Sequence, residues 1–174
     1  MSEIESFRAF YRWNSTVRRK YLEAILSLPP EERLRDRGAS FPSLQEIYVH
    51  VLDALNSWIV LVPQDRYQGT EDLPGRTMTP DELRTATTRI DRDALAYVMS
   101  LRGADLDREI VCHYPGDHGP VVRRFPTRDV LWHMVEEELQ HRGEMNALFW
   151  QMDIDPPLGT YPEWTDALAG ARSD

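Results

Sequence analysis

Residues 132–150 read WHMVEEELQHRGEMNALFW, and their pattern predicts a helix that carries polar chemistry along one side. Apolar residues recur at intervals of three and four, the period of one face of an α-helix. At about 100° per residue, His133, Glu137 and His141 fall within an arc of about 80° at the margin of that apolar face. The stretch therefore predicts one helix of a bundle, with two imidazoles and a carboxylate facing the bundle interior or its mouth.

Three further helices are predicted before this one. Apolar residues spaced by three and four indicate a first helix over about 4–28, ending before two prolines. The second, about 43–62, begins with Ser43 in a capping box and is apolar almost all round, which predicts a central position. The third, about 80–101, follows Thr79 as its N-cap. Four helices of this length suit a four-helix bundle.

The chain changes character between the third helix and the fourth, which is predicted over about 128–152 with Thr127 as its cap. Two β-type runs, EIVCHY and PVVRRF, flank a Pro-Gly-Asp-His-Gly turn. These runs predict a short hairpin or extended crossover between helices three and four. The tail, 153–174, is too rich in proline and glycine for a long helix and is predicted to be irregular.

Composition narrows the class of protein. The length of 174 residues suits one domain over 1–174, and the net charge of -9 disfavours a nucleic-acid partner, which would need a basic surface. A single cysteine, Cys112, excludes a disulfide framework and favours a reducing cytoplasmic location. No stretch reaches the roughly 18 apolar residues of a membrane span, so no membrane association is expected.

The residue types along the last helix suggest a metal site. Glu137 and His141 are four apart, so they are neighbours on the helix surface and can share one ion. The best candidate for a third ligand is His50, which lies in the middle of the apolar second helix. A metal would offset the cost of placing a carboxylate at an apolar face, and a three-ligand site leaves positions open for water or substrate.

A structural explanation competes with this hypothesis, because a histidine in an apolar helix is usually a hydrogen-bonded core residue and a Glu/His pair at this spacing is common on solvated helices. Elsewhere, Cys112, His113 and His118 lie near one another in the sequence. Their spacing matches no recognised zinc pattern, so a second metal site is not expected.

No nucleophile elbow and no glycine-rich phosphate loop is present.

Four segments carry a resemblance to a known family. They are Tyr11 to Asn14, His50 to Trp58, His133 with the following EELQHRG, and the closing PPLGTYPEW. Together they resemble the DinB/YfiT-like family of metal-dependent proteins over nearly the whole chain. The resemblance implies an all-α, DinB-like four-helix bundle and a metal held by residues of the second and fourth helices.

One position departs from the family pattern. Glu137 stands where the family usually has the first histidine of H-x-x-x-H, so the implied ligands are His50, Glu137 and His141. His133, one turn earlier, is the alternative ligand if Glu137 turns away. Two histidines and a carboxylate bind several divalent metals, of which zinc or nickel is favoured here and iron(II) or manganese is also compatible.

Two further residues are candidates for a supporting role behind the ligands. Asn14 lies on the buried face of the first helix and could orient a metal-bound water, or it could pair with a neighbouring helix. Arg142 follows a proposed ligand and could bind a substrate carboxylate, or it could pair with an acidic side chain of this acidic protein.

The resemblance also implies an activity. Characterised relatives of this fold use low-molecular-weight thiols such as mycothiol or bacillithiol, so the expected function is a thiol S-transferase or a thiol-dependent isomerase or hydrolase acting on a small molecule. A homodimer is expected as well. The alternative is a non-catalytic, stress-associated homodimeric bundle whose metal site has degenerated at Glu137. An iron-dependent oxygenase also fits the ligand types, but the fold resemblance points elsewhere.

Overall fold

The computed structural model describes residues 2–64, 66–67, 73, 77–114 and 121–157. This part of the chain is mostly helical and contains one small antiparallel sheet. Its helices are α1 (Glu3–Ser27), α2 (Pro30–Arg33), α3 (Leu44–Leu55), α4 (Pro80–Ser100) and α5 (Thr127–Trp150), and its strands are β1 (Glu109–Tyr114) and β2 (Val121–Pro126). The described residues are therefore mostly helical, as predicted, with a hairpin between the last two long helices.

Side-chain caps set where two of the helices begin. The Ser43 hydroxyl accepts a hydrogen bond from the Glu46 amide at 3.3 Å, which satisfies one of the first amides of α3. At α4, Thr79 accepts from the Glu82 amide at 3.3 Å, and the Glu82 carboxylate accepts from the Thr79 amide at 2.8 Å. The capping box predicted at α4 is thus in place, and Ser43 is the N-cap of α3 as predicted.

The second long helix changes its winding before it ends. After α3 the chain continues as a π-helical turn, Asn56–Leu61, and then as a 3₁₀ turn, Val62–Gln64. A regular helix over about 43–62 was predicted, and the structure instead keeps α-helical winding only to Leu55. A π-turn inserts an extra residue into the helix and is frequent at functional sites. It changes the direction of the side chains that it carries, Trp58 among them.

The hairpin lies where two β-type runs predict it. Glu109 pairs with Pro126 and Tyr114 with Val121 in an antiparallel register. The intervening turn, with His118, lies outside the described residues, as does the tail from residue 158 onward.

The start of α5 differs from the prediction. Thr127 is the first residue of the helix and Pro126 occupies the N-cap position, so Thr127 is not the cap. The Thr127 hydroxyl instead donates to the Arg108 carbonyl at 2.9 Å. This bond joins the beginning of α5 to the beginning of the hairpin, which positions β2 beside the first turns of α5.

The core lies between the long helices, with α1 against α3 and α4, and α3 against α4 and α5. Two buried tyrosine hydroxyls find partners on other helices, since an unsatisfied buried hydroxyl is costly. Tyr11 donates to the Leu131 carbonyl at 3.1 Å, and Tyr48 lies 2.9 Å from the Thr87 hydroxyl. The largest fully buried side chains include Phe7, Tyr21, Ile25, Leu52, Ile90 and Phe149.

An ion cluster is buried within this core. Arg18 of α1 donates hydrogen bonds to Asp91 of α4 and Glu138 of α5, and all three side chains are almost fully buried. Burial acts to lower the pKa of Arg18, but the two carboxylates outweigh it and raise the pKa further above its ordinary value. The cluster therefore holds three helices in one relative arrangement.

Among the described residues, none of the helices combines the length and the apolar character that a bilayer crossing requires.

We expect Arg18→Met to destabilise the protein by about 3–5 kcal/mol, because it leaves the Asp91 and Glu138 carboxylates buried without a cation. Urea denaturation followed by circular dichroism measures this loss. Arg84→Met is the control, since Arg84 forms an exposed pair with Glu23 and should leave the midpoint nearly unchanged. Equal midpoints for the two variants would show that the buried cluster is not a main source of stability.

Candidate metal site

Two helices bring the three predicted ligands together. His50 lies on α3, and Glu137 and His141 lie one turn apart on α5. Nε2 of His50 is 3.4 Å from Oε2 of Glu137, and Nε2 of His141 is 3.3 Å from the same oxygen. One ligand-type atom from each side chain lies within 4.8 Å of the others, so the group could hold a metal ion.

The carboxylate at the centre of this group is incompletely satisfied. Oε2 of Glu137 is buried and has no hydrogen-bond partner, although two imidazole nitrogens approach it. A buried carboxylate oxygen without a donor is unfavourable, and a cation bound by all three side chains would remove that cost. The donor set of two imidazoles and one carboxylate matches sites that bind divalent transition metals. The residues therefore fit a divalent ion.

His141 is held from behind by a second carboxylate. Its Nδ1 lies 2.6 Å from Oε2 of Glu144. Ser40 donates to the same carboxylate twice, from its amide at 3.2 Å and from its hydroxyl at 2.7 Å. A metal-binding histidine commonly donates its other ring N–H to a carboxylate in this way, which fixes both the ring orientation and the tautomer.

The charge state of Glu144 determines the direction of that hydrogen bond. Burial acts to raise the pKa of Glu144, but the hydrogen bonds from Ser40 and His141 outweigh it, and the pKa lies below its ordinary value. At neutral pH Glu144 is therefore an ionised acceptor, and Nδ1 of His141 must be the donor. In the neutral imidazole, Nε2 then carries the lone pair that faces Glu137.

An aromatic ring covers the histidines. Phe41 stacks on the His50 ring at a centroid distance of 4.0 Å and an angle of 24°. It also meets the edge of His141 at 5.8 Å, while the two imidazoles lie 4.8 Å apart at 77°. The segment that carries Ser40 and Phe41 thus contacts both Glu144 and the two imidazoles.

A comparison with family models identifies the family of the chain. A family model with the description DinB family matches residues 1–173, the length of the chain. The chain belongs to the DinB family. The resemblance predicted from its sequence segments is thereby confirmed. A comparison with curated proteins found no match.

In this DinB-family protein, the alternative ligand His133 lies outside the group of three. Its Nε2 is 3.9 Å from Oε1 of Glu137, whereas His50 and His141 approach Oε2. Its ring meets the edge of Trp58 at 5.0 Å. His133 is therefore a neighbour of the central carboxylate on the side of the π-helical turn.

The two residues predicted to support the ligands are paired with each other. Arg142 donates a hydrogen bond to Oδ1 of Asn14, and both side chains are buried. The guanidinium also lies over the rings of Trp13 and Tyr21, at 5.0 and 6.0 Å from their centroids. Burial lowers the pKa of Arg142, although the charge of Glu138 opposes the shift. These contacts favour the interpretation of a pair between α1 and α5.

Cys112 and His113 lie outside the group of three, and His118 lies outside the described residues. Sequence reasoning missed Ser40, Phe41 and Glu144, however. Glu144 carried a usable signal, because a carboxylate three residues after His141 lies on the same face of a helix. Ser40 and Phe41 carried none, since they lie in an irregular segment whose position depends on the fold.

We expect Nδ1 of His141 to carry a proton at neutral pH in protein treated with a chelator, because the ionised Glu144 carboxylate accepts from it. Long-range ¹H–¹⁵N correlation NMR identifies the protonated ring nitrogen. Glu144→Gln should reduce the population of this form, whereas Glu136→Gln, at an exposed position, should not. An unprotonated Nδ1 in the wild-type protein would contradict the arrangement.

Proposed function

We propose that this protein is a metal-dependent enzyme that binds one divalent ion through His50, Glu137 and His141. The observation that carries the proposal is the buried Oε2 of Glu137, which two imidazole Nε2 atoms approach at 3.3 and 3.4 Å without a hydrogen bond being formed. The hydrogen bond from His141 to Glu144 supports it, because it directs the lone pair of His141 into the same space.

Each residue then has a distinct task. His50, Glu137 and His141 hold the ion, Glu144 fixes the orientation of His141, and Phe41 excludes water from the outer face of the imidazoles. When bound, a divalent ion supplies Lewis acidity that lowers the pKa of a water or thiol at an open position. Three protein ligands leave such a position, as catalytic sites require.

We also propose which metals the site binds and how the long helices are arranged. Two imidazoles and one carboxylate suit zinc or nickel, with iron(II) and manganese as the other compatible ions. The four long helices α1, α3, α4 and α5 are proposed to form a DinB-like four-helix bundle. Contacts of α1 with α3 and α4, and of α3 with α4 and α5, support this arrangement.

The proposed reaction is transfer of a low-molecular-weight thiol to a small electrophile. Family membership and the three-ligand geometry support it. The rival proposal is a non-catalytic bundle in which Glu137 has ended metal binding. The two proposals predict different metal contents and different rates of turnover, so measuring these two quantities distinguishes them.

We expect protein purified without an affinity tag to contain close to one equivalent of divalent metal by inductively coupled plasma mass spectrometry. Glu137→Ala and His141→Ala should lose it, because each removes a ligand. Glu144→Gln should keep the site but bind roughly 10–100-fold more weakly in a chelator competition, since it loosens the support of His141.

His113→Ala is the matched control for this measurement, because His113 lies on the exposed side of β1 and outside the group of three. It should retain the metal of the wild-type protein. An absence of metal in the wild type, even after incubation with zinc, nickel, manganese and anaerobic iron(II), would favour the non-catalytic bundle.

We expect the metal-loaded protein to accelerate conjugation of mycothiol or bacillithiol with monochlorobimane. In this reaction a carbon–sulfur bond forms, the carbon–chlorine bond breaks, chloride leaves and the thiol proton passes to the buffer. Bimane fluorescence follows the product. Glu137→Ala should reduce the rate to that of the metal-free protein, and a metal-loaded wild type with no acceleration for either thiol would rule out this conjugation.

A further inference from the structure

A cleft of about 630 Å³ opens between the π-helical turn, β2 and the first turns of α5. This volume lies within the range of about 300–1,000 Å³ that small-molecule sites occupy. The cleft is lined by Trp58 from the π-helical turn, by Val121, Arg123 and Phe125 from β2, and by Asp129, Val130 and His133 from α5. Its walls therefore come from three separate elements.

The pattern along β2 separates the cleft face from the other face of the strand. Val121, Arg123 and Phe125 alternate along the strand, so they project on one side. Across the cleft, the edge of Trp58 meets Phe125 at 6.0 Å and His133 at 5.0 Å between ring centroids. Aromatic and branched side chains thus supply walls suited to a flat apolar group.

Two charged side chains, Asp129 and Arg123, line the cleft. Within the described residues, the fold places a compensating charge near the first of them only. Asp129 lies in the first turn of α5, where a carboxylate is favoured by the helix dipole. Arg124, on the opposite face of β2, is 3.6 Å from Glu109. Arg123 has no carboxylate within ion-pair distance in the described part of the chain. In a protein of net charge -9 it is a cation available to an anionic ligand.

The cleft leads to the candidate metal site through one residue. His133 lines the cleft, and its Nε2 lies 3.9 Å from Oε1 of Glu137. The other oxygen of Glu137 faces His50 and His141. A molecule in the cleft would therefore have one end beside the carboxylate at the centre of the metal site.

We propose that this cleft is the substrate pocket, and that it selects small molecules that combine a flat apolar body with one anionic group. The apolar body lies between Trp58, Phe125 and Val130, and the anionic group binds Arg123. The proposal rests on the proposed function, since it assigns the substrate class of the same metal site. It makes Arg123 a specificity residue that acts on charge and not on the metal.

Two fluorescent probes separate charge recognition from apolar binding. Anilinonaphthalene sulfonate is flat and anionic, and phenylnaphthylamine has a similar ring system without charge. We expect Arg123→Gln to weaken binding of the sulfonate roughly tenfold, by loss of a charge-assisted contact, and to leave binding of the neutral probe unchanged. Arg124→Gln is the matched control on the opposite face of β2 and should change neither.

A third variant tests whether the probes bind in this cleft. Val121→Trp places a large ring in the cleft from an exposed position, so it should abolish binding of both probes without affecting the fold. Thermal melting of each variant checks the fold. Retention of sulfonate binding in Val121→Trp, or equal sulfonate affinity in Arg123→Gln and the wild type, would overturn the assignment.

Manganese reports how close the cleft is to the metal site. In protein loaded with Mn²⁺, proton NMR signals of bound sulfonate should broaden, and in protein loaded with Zn²⁺ they should stay sharp. If the protein takes up no metal but binds the sulfonate with the predicted dependence on Arg123, the proposed function is wrong and the charge selection of the cleft still holds. Metal uptake with no broadening by Mn²⁺ would overturn the cleft as the pocket of that site.

Discussion

The buried contact of Arg18 with Asp91 and Glu138 is the constraint on which the rest of the structure depends. Three charges inside a core are tolerated only when their geometry is satisfied, so the cluster sets how α1, α4 and α5 lie together. It also sets the rotation of α5 about its axis. With Glu138 directed to Arg18, its neighbour Glu137 is turned by about 100° toward α3 and His50.

Helix α5 repeats this division one turn later. Arg142 is buried against Asn14 and Trp13 of α1, and the residue before it, His141, faces His50 and Phe41. Adjacent residues of α5 thus face two different surroundings. One is the contact between α1 and α5, and the other is the group of ligand-type side chains. The candidate metal site is a consequence of how α5 is fixed on its other side.

Part of this arrangement follows from spacing. The interval of four between Glu137 and His141 places both side chains on one face of a helix. The spacing does not decide between a metal site and hydrogen-bonded side chains, and the family resemblance is what favours the metal. The clamp by Ser40 could not be predicted, since an irregular segment finds its place only after the helices have packed. The prediction of Thr127 as a helix cap is wrong because the Thr127 hydroxyl donates to the Arg108 carbonyl, at the beginning of the hairpin. The π-helical winding after Leu55 was also hidden, because a segment that is apolar all round has no period to reveal it.

The alternation along α5 has a consequence for how such a chain can change over time. One ligand type can replace another without changing the direction of any neighbouring side chain. The carboxylate of Glu137, at a position where the family usually has an imidazole, is an example. Adding or deleting a single residue between Glu137 and Arg142 would rotate half of the helix by about 100°, so that its side chains would no longer face the surroundings they have now. The segment is therefore free to vary in chemistry but not in length.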